Sequence, residues 1–345
     1  MVCFYTAAGD TSRQSAKVPF TQCLAYSTDG RAFTKYAGNP VVKNITPGNR
    51  DPKVIWHEPT QRWIMVLYVE SNKVHTIQFF SSPDLKSWEF LSQVEGFFEC
   101  PDFFELPVEG GKKWVLTAAS SEYLVGTFDG RRFQAETGKL TGHRGKGFYA
   151  AQTFSDLPRG RRVQIGWLQA PAPGMPFNQG MTVPLDLELK GTPEGPRLAW
   201  QPVPELEKLR GRAHRLGALS LQPGDANPAA GIKAELVELR AEFQPGDASE
   251  ATFNVRGALV VYSAGARELS VNGHRVPAPL RDGKQRLIVL ADRTALEVFA
   301  SDGLTYVPFP FIPKAENRAV EVTVTKGAVK FDKLDVFELQ SAWEN

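Results

Sequence analysis

Three segments of this chain share one short plan. STDGRAF sets Asp29 four residues before Phe33, SSPDLKSW sets Asp84 four before Trp88, and TFDGRRF sets Asp129 four before Phe133. Each follows a β-like run: QCLAYS, HTIQFF or YLVG. An aspartate followed by Gly or Leu turns the chain tightly, and the aromatic opens the next strand. Single turns of this kind are common. Repeated 55 and 45 residues apart with identical Asp-to-aromatic spacing, they predict the four-stranded blades of a β-propeller rather than three unrelated hairpins.

The intervening sequence fits the same plan. KVIWH and RWIMVLYV, separated by EPTQ, predict a hairpin with buried faces. KWVLTAAS with YLVGTF predicts another, and FYAAQTF with RRVQIGWL around DLPRGR a third. Near residue 203 the texture changes. PVPELEKLRG carries Pro at its start and Gly after it, which predicts a short helical connector. Beyond it, AELVELRAEF, ATFNVRG, ALVVYSA, RLIVLAD, TALEVFASDG, AVEVTVTK and KFDKLDVFEL alternate as short strands, several separated by turns such as NGH, RDG and SDG. That spacing predicts a β-sandwich. The expected organisation is all-β: a propeller domain over 1–202, a linker helix over 203–214 and a sandwich over 215–345.

Composition removes several function classes. Hydrophobic residues at 42% and charged residues at 23% describe a globular chain, and a net charge of +2 points to neither nucleic acid nor a charged membrane surface. No apolar run approaches the roughly 18 residues that cross a bilayer. Cys3, Cys23 and Cys100 are too few and too odd in number for a disulfide framework, so they are read as free thiols. His57, His75, His143, His214 and His274 form no H-E-x-x-H pair, and no C-x-x-C is present, so the sequence makes no case for a metal. There is no G-x-S-x-G elbow, P-loop or G-x-G-x-x-G, and no cofactor is expected. The basic runs RGRR (159–162) and KLRGRAHR (208–215) lack interleaved aromatics and read as solvated faces.

Carboxylates remain. FFECPDFFEL (97–106) sets Glu99 among phenylalanines, directly before Cys100 and Pro101. An acid in apolar surroundings tends to stay protonated, the state a general acid needs. Asp102, nearby in sequence, is expected to add like-charge pressure in the same direction. In GNRDPKVIW, Asp51 precedes a proline that restricts the local chain, and Arg50 adds a fork of donors suited to sugar hydroxyls. An Arg-Asp-Pro at a strand edge is also an ordinary satisfied turn. Carboxylates at blade ends with tryptophans nearby (Trp56, Trp63, Trp167) point to glycoside chemistry, which works through two carboxylates.

RDPKVIWHEPTQRWIMVLY, ECPDFFELP, YLVGTFDG, FYAAQTF and LEVFASDG together resemble glycoside hydrolase family 32, the fructan-hydrolysing β-fructosidases, over essentially the whole chain. MPFNQGMTVPLDLEL (175–189) looks like the last-blade segment of its levanase-like bacterial members. The resemblance implies a five-bladed propeller with a C-terminal β-sandwich, and retaining hydrolysis of terminal β-fructofuranosyl bonds in levan, inulin or sucrose. It implies Glu99 as acid/base and Asp51 as the transition-state stabiliser. Arg50, Cys100, Tyr149 and Trp167 become substrate-binding candidates.

One departure matters. The family nucleophile is an aspartate in a W-M-N-D-P-N-G-type motif, and this sequence has none. Its only Asn-Pro pairs are at 39–40 and 227–228, and 49 residues precede Arg50. MVCFYTAAG, with no signal-peptide pattern, reads as a strand from its first residue. The expectation is a chain lacking the first blade, inactive or nearly so, and self-associating through exposed blade faces. A non-catalytic fructan-binding protein is the competing reading. A related five-bladed glycosidase acting on arabinose or xylose fits the Arg-Asp-Pro and Glu-Cys-Pro pairing less well. At GKGFYAAQTF, Gly147 stands where relatives often carry Asp or Asn.

Overall fold

A computed structural model describes residues 1–9 and 12–343. It divides into two compact units, Met1–Gly142 with Ala150–Leu157, and His143–Tyr149 with Pro158–Asn345. Regular structure among the described residues is strand, apart from four short 3-10 turns. No helix among them is long and apolar enough to cross a membrane.

The first unit holds three antiparallel sheets whose strands follow chain order. Val2–Ala7, Thr21–Tyr26 and Thr34–Lys35 form one. Arg50–His57, Arg62–Ser71, Val74–Ser82 and Glu89–Glu95 form the second. Asp102–Val108, Gly111–Thr117, Tyr123–Phe128 and Phe133–Ala135 form the third.

The repeated Asp-to-aromatic turn has the same construction each time. Asp29 Oδ1 accepts the N–H groups of Arg31 at 2.8 Å and Ala32 at 3.0 Å. Asp84 Oδ1 accepts those of Lys86 and Ser87, both at 2.9 Å, and Asp129 Oδ1 those of Arg131 and Arg132, both at 2.7 Å. The residue after each aspartate takes a left-handed φ: Gly30 at 73°, Leu85 at 67°, Gly130 at 91°. These donors favour the ionised aspartate. The N–H groups of Ala32 and Arg31 hold Asp29 down at about 2, and the corresponding backbone groups lower Asp84 and Asp129.

The run RWIMVLYV is continuous because both faces of its strand are covered. Ile64, Val66 and Tyr68 pack with Phe79, Phe103 and Phe128, whereas Met65, Leu67 and Val69 pack with Val42, Phe80 and Phe4. A period of two sends alternate side chains to opposite cores.

In the second unit, Val163–Leu168, Leu185–Lys190 and Arg197–Pro202 form an antiparallel sheet, with the two-residue strand Gly180–Met181 paired to Val163–Leu168. The sandwich follows. Its larger sheet runs Arg210–Arg215, Val329–Leu339, Val237–Pro245, Gln285–Ala291, Ala295–Ala300, Thr305–Pro310, with Leu219–Leu221 also on Val329–Leu339. Its smaller sheet runs His274–Pro277, Glu268–Val271, Ala258–Ser263, Glu250–Val255, Val320–Lys326. Leu239, Phe243, Phe253, Tyr262, Val289 and Phe331 fill the space between them.

One expectation needs correction here. The linker helix over 203–214 is only the 3-10 segment Pro204–Leu209. Residues 210–215 are a strand on Val329–Leu339, because ladder pairing to a long C-terminal strand outweighs local helical preference. The strand TYVPFP carries two prolines and sits at the end of its sheet, where a missing N–H costs no ladder bond.

Candidate active site

The cluster starts at a bulge. Between Arg50 and Lys53 the register against Arg62–Ser71 shifts, and Asp51 sits in the bulge with φ 65°. A bulge re-aims the side chains it carries. A relay of hydrogen bonds fixes it. The Asp51 N–H donates to Thr6 Oγ1 at 2.9 Å, Thr6 donates to Gln22 Oε1 at 2.8 Å, and Gln22 Nε2 donates to the Asn49 carbonyl at 2.9 Å. Gln22 and Asn49 are fully buried.

The second element is the segment 97–102. Glu99 and Cys100 both have left-handed backbone, with φ 51° and 43°. Non-glycine residues hold this conformation at a cost that surrounding structure must over-determine. Gln152 Nε2 donates to the carbonyls of Cys100 at 3.3 Å and Pro101 at 3.1 Å, and Ala119 N–H donates to the Glu99 carbonyl at 3.0 Å.

These two elements bring Arg50, Asp51, Glu99 and Cys100 together. Arg50 Nε donates to Glu99 Oε1 at 3.1 Å, and Arg50 Nη2 makes a shorter bond to the same oxygen. Arg50 Nη1 donates to the Gly48 carbonyl at 2.6 Å, and Nε lies 3.8 Å from Asp51 Oδ2. Asp51 Oδ2 accepts the Cys100 N–H at 3.0 Å and faces its thiol at 3.5 Å. Side chains of Arg50, Asp51 and Glu99 remain 26%, 30% and 22% exposed, so a ligand can reach all three. The Arg50 guanidinium lies over the rings of Tyr68 at 4.7 Å and Phe98 at 5.6 Å. Burial, then the charge of Asp51, pushes the Cys100 thiol up to about 12. A thiol this poorly ionised is inert. Iodoacetamide at pH 8 is therefore expected to alkylate exposed Cys3 and leave Cys100 unmodified by peptide mass spectrometry; stoichiometric Cys100 labelling of folded protein would contradict the burial.

The apolar cage expected around Glu99 is not what its carboxylate meets. Phe97 is buried in the core, Phe98 is 41% exposed beside Arg50, and the carboxylate contacts a guanidinium instead. Asp102 does not press on Glu99 with like charge. It is fully buried and paired with Lys53 Nζ at 3.3 Å. It accepts the N–H of Thr153 at 2.5 Å and of Phe103 at 2.9 Å, while Lys53 donates to the Thr153 carbonyl at 2.5 Å. Trp56 and Trp63 are not beside the carboxylates either. They face each other across the turn end of the hairpin, whereas Arg50 lies opposite Tyr68. That distance is six residues of strand, about 20 Å. Tyr68, Lys53 and Gln152 are what sequence reasoning missed. Counting back from the EPTQ turn would have placed residue 69 opposite residue 50, and the bulge between Arg50 and Lys53 brings Tyr68 there instead.

Tyr149 and Trp167 belong to the second unit, where their rings meet edge-on at 6.2 Å and Trp167 Nε1 donates to Gln179 Oε1 at 2.5 Å. Gly147, also there, has φ 78°, and a Cβ would lie 3.2 Å from Pro310 Cγ. An Asp or Asn side chain at this position would strain the backbone. Among the described residues no three His, Cys, Asp or Glu side chains converge as a metal site.

The structure thus brings together one guanidinium and two partly exposed carboxylates, with both carboxylates carried on left-handed backbone. Residues 1–202 match the glycosyl hydrolases family 32 N-terminal domain, and residues 205–338 match the family 32 C-terminal domain. The chain belongs to glycosyl hydrolase family 32. It is 34% identical to a levanase of Bacillus subtilis (strain 168), over 93% of this chain and 55% of that protein. It is 26% identical to an extracellular exo-inulinase of Aspergillus ficuum, over 94% of this chain and 72% of the other. In structure it matches the exo-inulinase of Aspergillus awamori with a TM-score of 0.83 at 24% identity, covering 99% of this chain and 80% of that one. A β-fructofuranosidase of Schwanniomyces occidentalis, solved with fructosyl-erythritol, matches with a TM-score of 0.81 at 21% identity, over 99% and 78%. The chain spans about half the length of the Bacillus subtilis (strain 168) levanase and of a levanase of Bacillus sp. (strain L7), 55% and 41%.

Proposed function

We propose that this chain carries the acid/base and transition-state-stabilising part of a retaining β-fructofuranosyl hydrolase site, directed at terminal fructosyl units of levan, inulin or sucrose. The observation that carries the reading is the convergence of Arg50 and Asp51 with Glu99, 49 residues beyond Arg50 in sequence, with Asp51 and Glu99 on left-handed backbone and all three side chains partly exposed. In this reading Asp51 accepts two hydroxyls of the fructosyl ring and stabilises positive charge as the ring flattens toward an oxocarbenium ion. Arg50 donates to the same ring. Glu99 protonates the leaving oxygen and then takes a proton from the attacking water. Cys100 holds Asp51 in place through its N–H and does not react. Tyr149 and Trp167 are proposed as sugar-stacking contacts.

The nucleophile is the part for which the sequence offers no motif. We therefore propose that the chain as given binds fructosyl ends and turns them over little or not at all. The competing reading, a fructan-binding protein, draws on that same lack. Fructose release from levan, inulin and sucrose, with Glu99→Gln beside the parent, tests the assignment. Near-silence of both is expected. Release by the parent that Glu99→Gln removes would keep Glu99 as acid/base and place the nucleophile on another carboxylate. Equal release by both would overturn the role of Glu99.

A further inference from the structure

The second unit buries a carboxyl that the hydrolytic site does not use. Glu297, on Ala295–Ala300, is 5% exposed. Its Oε1 accepts the Val183 N–H at 2.8 Å, and its Oε2 is bonded to the hydroxyl of Tyr306. Tyr306 is fully buried among Phe148, Trp200 and Phe299, and its hydroxyl also hydrogen-bonds that of Thr182. Thr182 and Val183 end a segment that is thinly attached. Gly180 and Met181 pair with Leu168 and Trp167, the Thr182 N–H donates to the Gly166 carbonyl at 3.0 Å, and the Gly166 N–H donates to Thr182 Oγ1 at 3.1 Å.

We propose that Glu297 is a pH-responsive pin: uncharged, it holds residues 180–183 against the strand bearing Trp167, and ionised, it releases them. The groups facing it are few. Tyr306 comes from the neighbouring strand, and Asp292, which adds like charge, from the turn before its own strand. Leu290 and Pro308, opposite it on either side, and Thr182 and Val183 carry no charge. Among the described residues no cation is paired with Glu297, and burial pushes it up to about 7. Protonated, Glu297 donates to the Tyr306 oxygen, and Tyr306 turns its own proton to Thr182. Ionised, it must be solvated, and the two-residue strand at 180–181 is the least costly element to move aside. The sign follows from a folded value above the unfolded one. The contribution is complete below about 4.5 and is lost as pH rises through about 7. The release does not depend on the proposed sugar site. Its consequence for sugar binding, a displaced Trp167, rests on the proposed sugar contact.

Hydrogen exchange by mass spectrometry on the full chain, corrected for the intrinsic rate at each pH, tests the pin. Opening of residues 166–168 and 180–183 is expected to rise roughly 50-fold between pH 5 and pH 8. Strand Val237–Pro245, paired on both sides, should keep its protection, and Glu297→Gln should abolish the rise. Opening of both regions together, no rise in either, or the same rise in Glu297→Gln would overturn it. Tyr306→Phe guards against misfolding of that variant. It keeps the ring but removes a donor to the ionised carboxylate, so the rise should continue to higher pH before levelling off, and an unmoved levelling-off would overturn the proposal.

Discussion

Levan incubated with the 345-residue chain is expected to yield fructose roughly 10⁴-fold more slowly, or worse, than with a family 32 enzyme that carries the N-D-P-N-G aspartate. The magnitude follows from mechanism. A retaining glycosidase splits one difficult displacement into two through a covalent glycosyl-enzyme. Without the attacking carboxylate that route is closed. In the proposed mechanism what remains is positioning by Arg50 and Asp51 and proton donation by Glu99, which would aid direct attack by water only modestly. A rate within tenfold of the complete enzymes would mean that another carboxylate of this chain attacks the anomeric carbon.

Asp102→Ala is expected to destabilise the first unit by about 3–5 kcal/mol, the usual cost of breaking a buried ion pair from one side. The change leaves the Lys53 ammonium, 13% exposed, without its carboxylate, and frees the Thr153 and Phe103 N–H groups. Lys53→Met should cost a similar amount because it strands a fully buried carboxylate. The double variant should fall short of the summed single losses, since neither charge is then left alone. Thermal unfolding of the four proteins measures this. A loss below about 1 kcal/mol for Asp102→Ala would mean that the pair is solvated.

What could be read from the sequence was what local chemistry determines. The three Asp-to-aromatic turns were legible because each aspartate caps its own backbone within three residues. RWIMVLYV was legible as a strand because seven consecutive apolar or aromatic positions, Trp63 to Val69, exceed what one face can bury. Strands with weaker local signals, such as Glu268–Val271 and Thr305–Pro310, form by pairing to neighbours that spacing does not reveal. The site divides the same way. Arg-Asp-Pro and Glu-Cys-Pro were visible as motifs, but their meeting depends on packing between two sheets, and only the family resemblance joined them. Glu99 was misread as caged by phenylalanines because its carboxylate pairs with the distant Arg50, while Phe97 is buried in the core and Phe98 lies against that guanidinium. The Lys53–Asp102 pair joins residues 49 apart and has no signature in either segment. Trp56 and Trp63 were assigned to the site by proximity in sequence, and strand register carried them to the far end.

The most direct measurement is calorimetric titration of a fructosyl-terminated levan oligosaccharide into the chain, with Asp51→Ala alongside. Charge-assisted bonds from one carboxylate to sugar hydroxyls are worth about 1.5–3 kcal/mol, so the variant should bind roughly 10- to 100-fold more weakly while unfolding at nearly the parent temperature. Equal affinity in the two proteins, or no saturable binding by the parent, would contradict the assignment of Arg50, Asp51 and Glu99 as the fructosyl site.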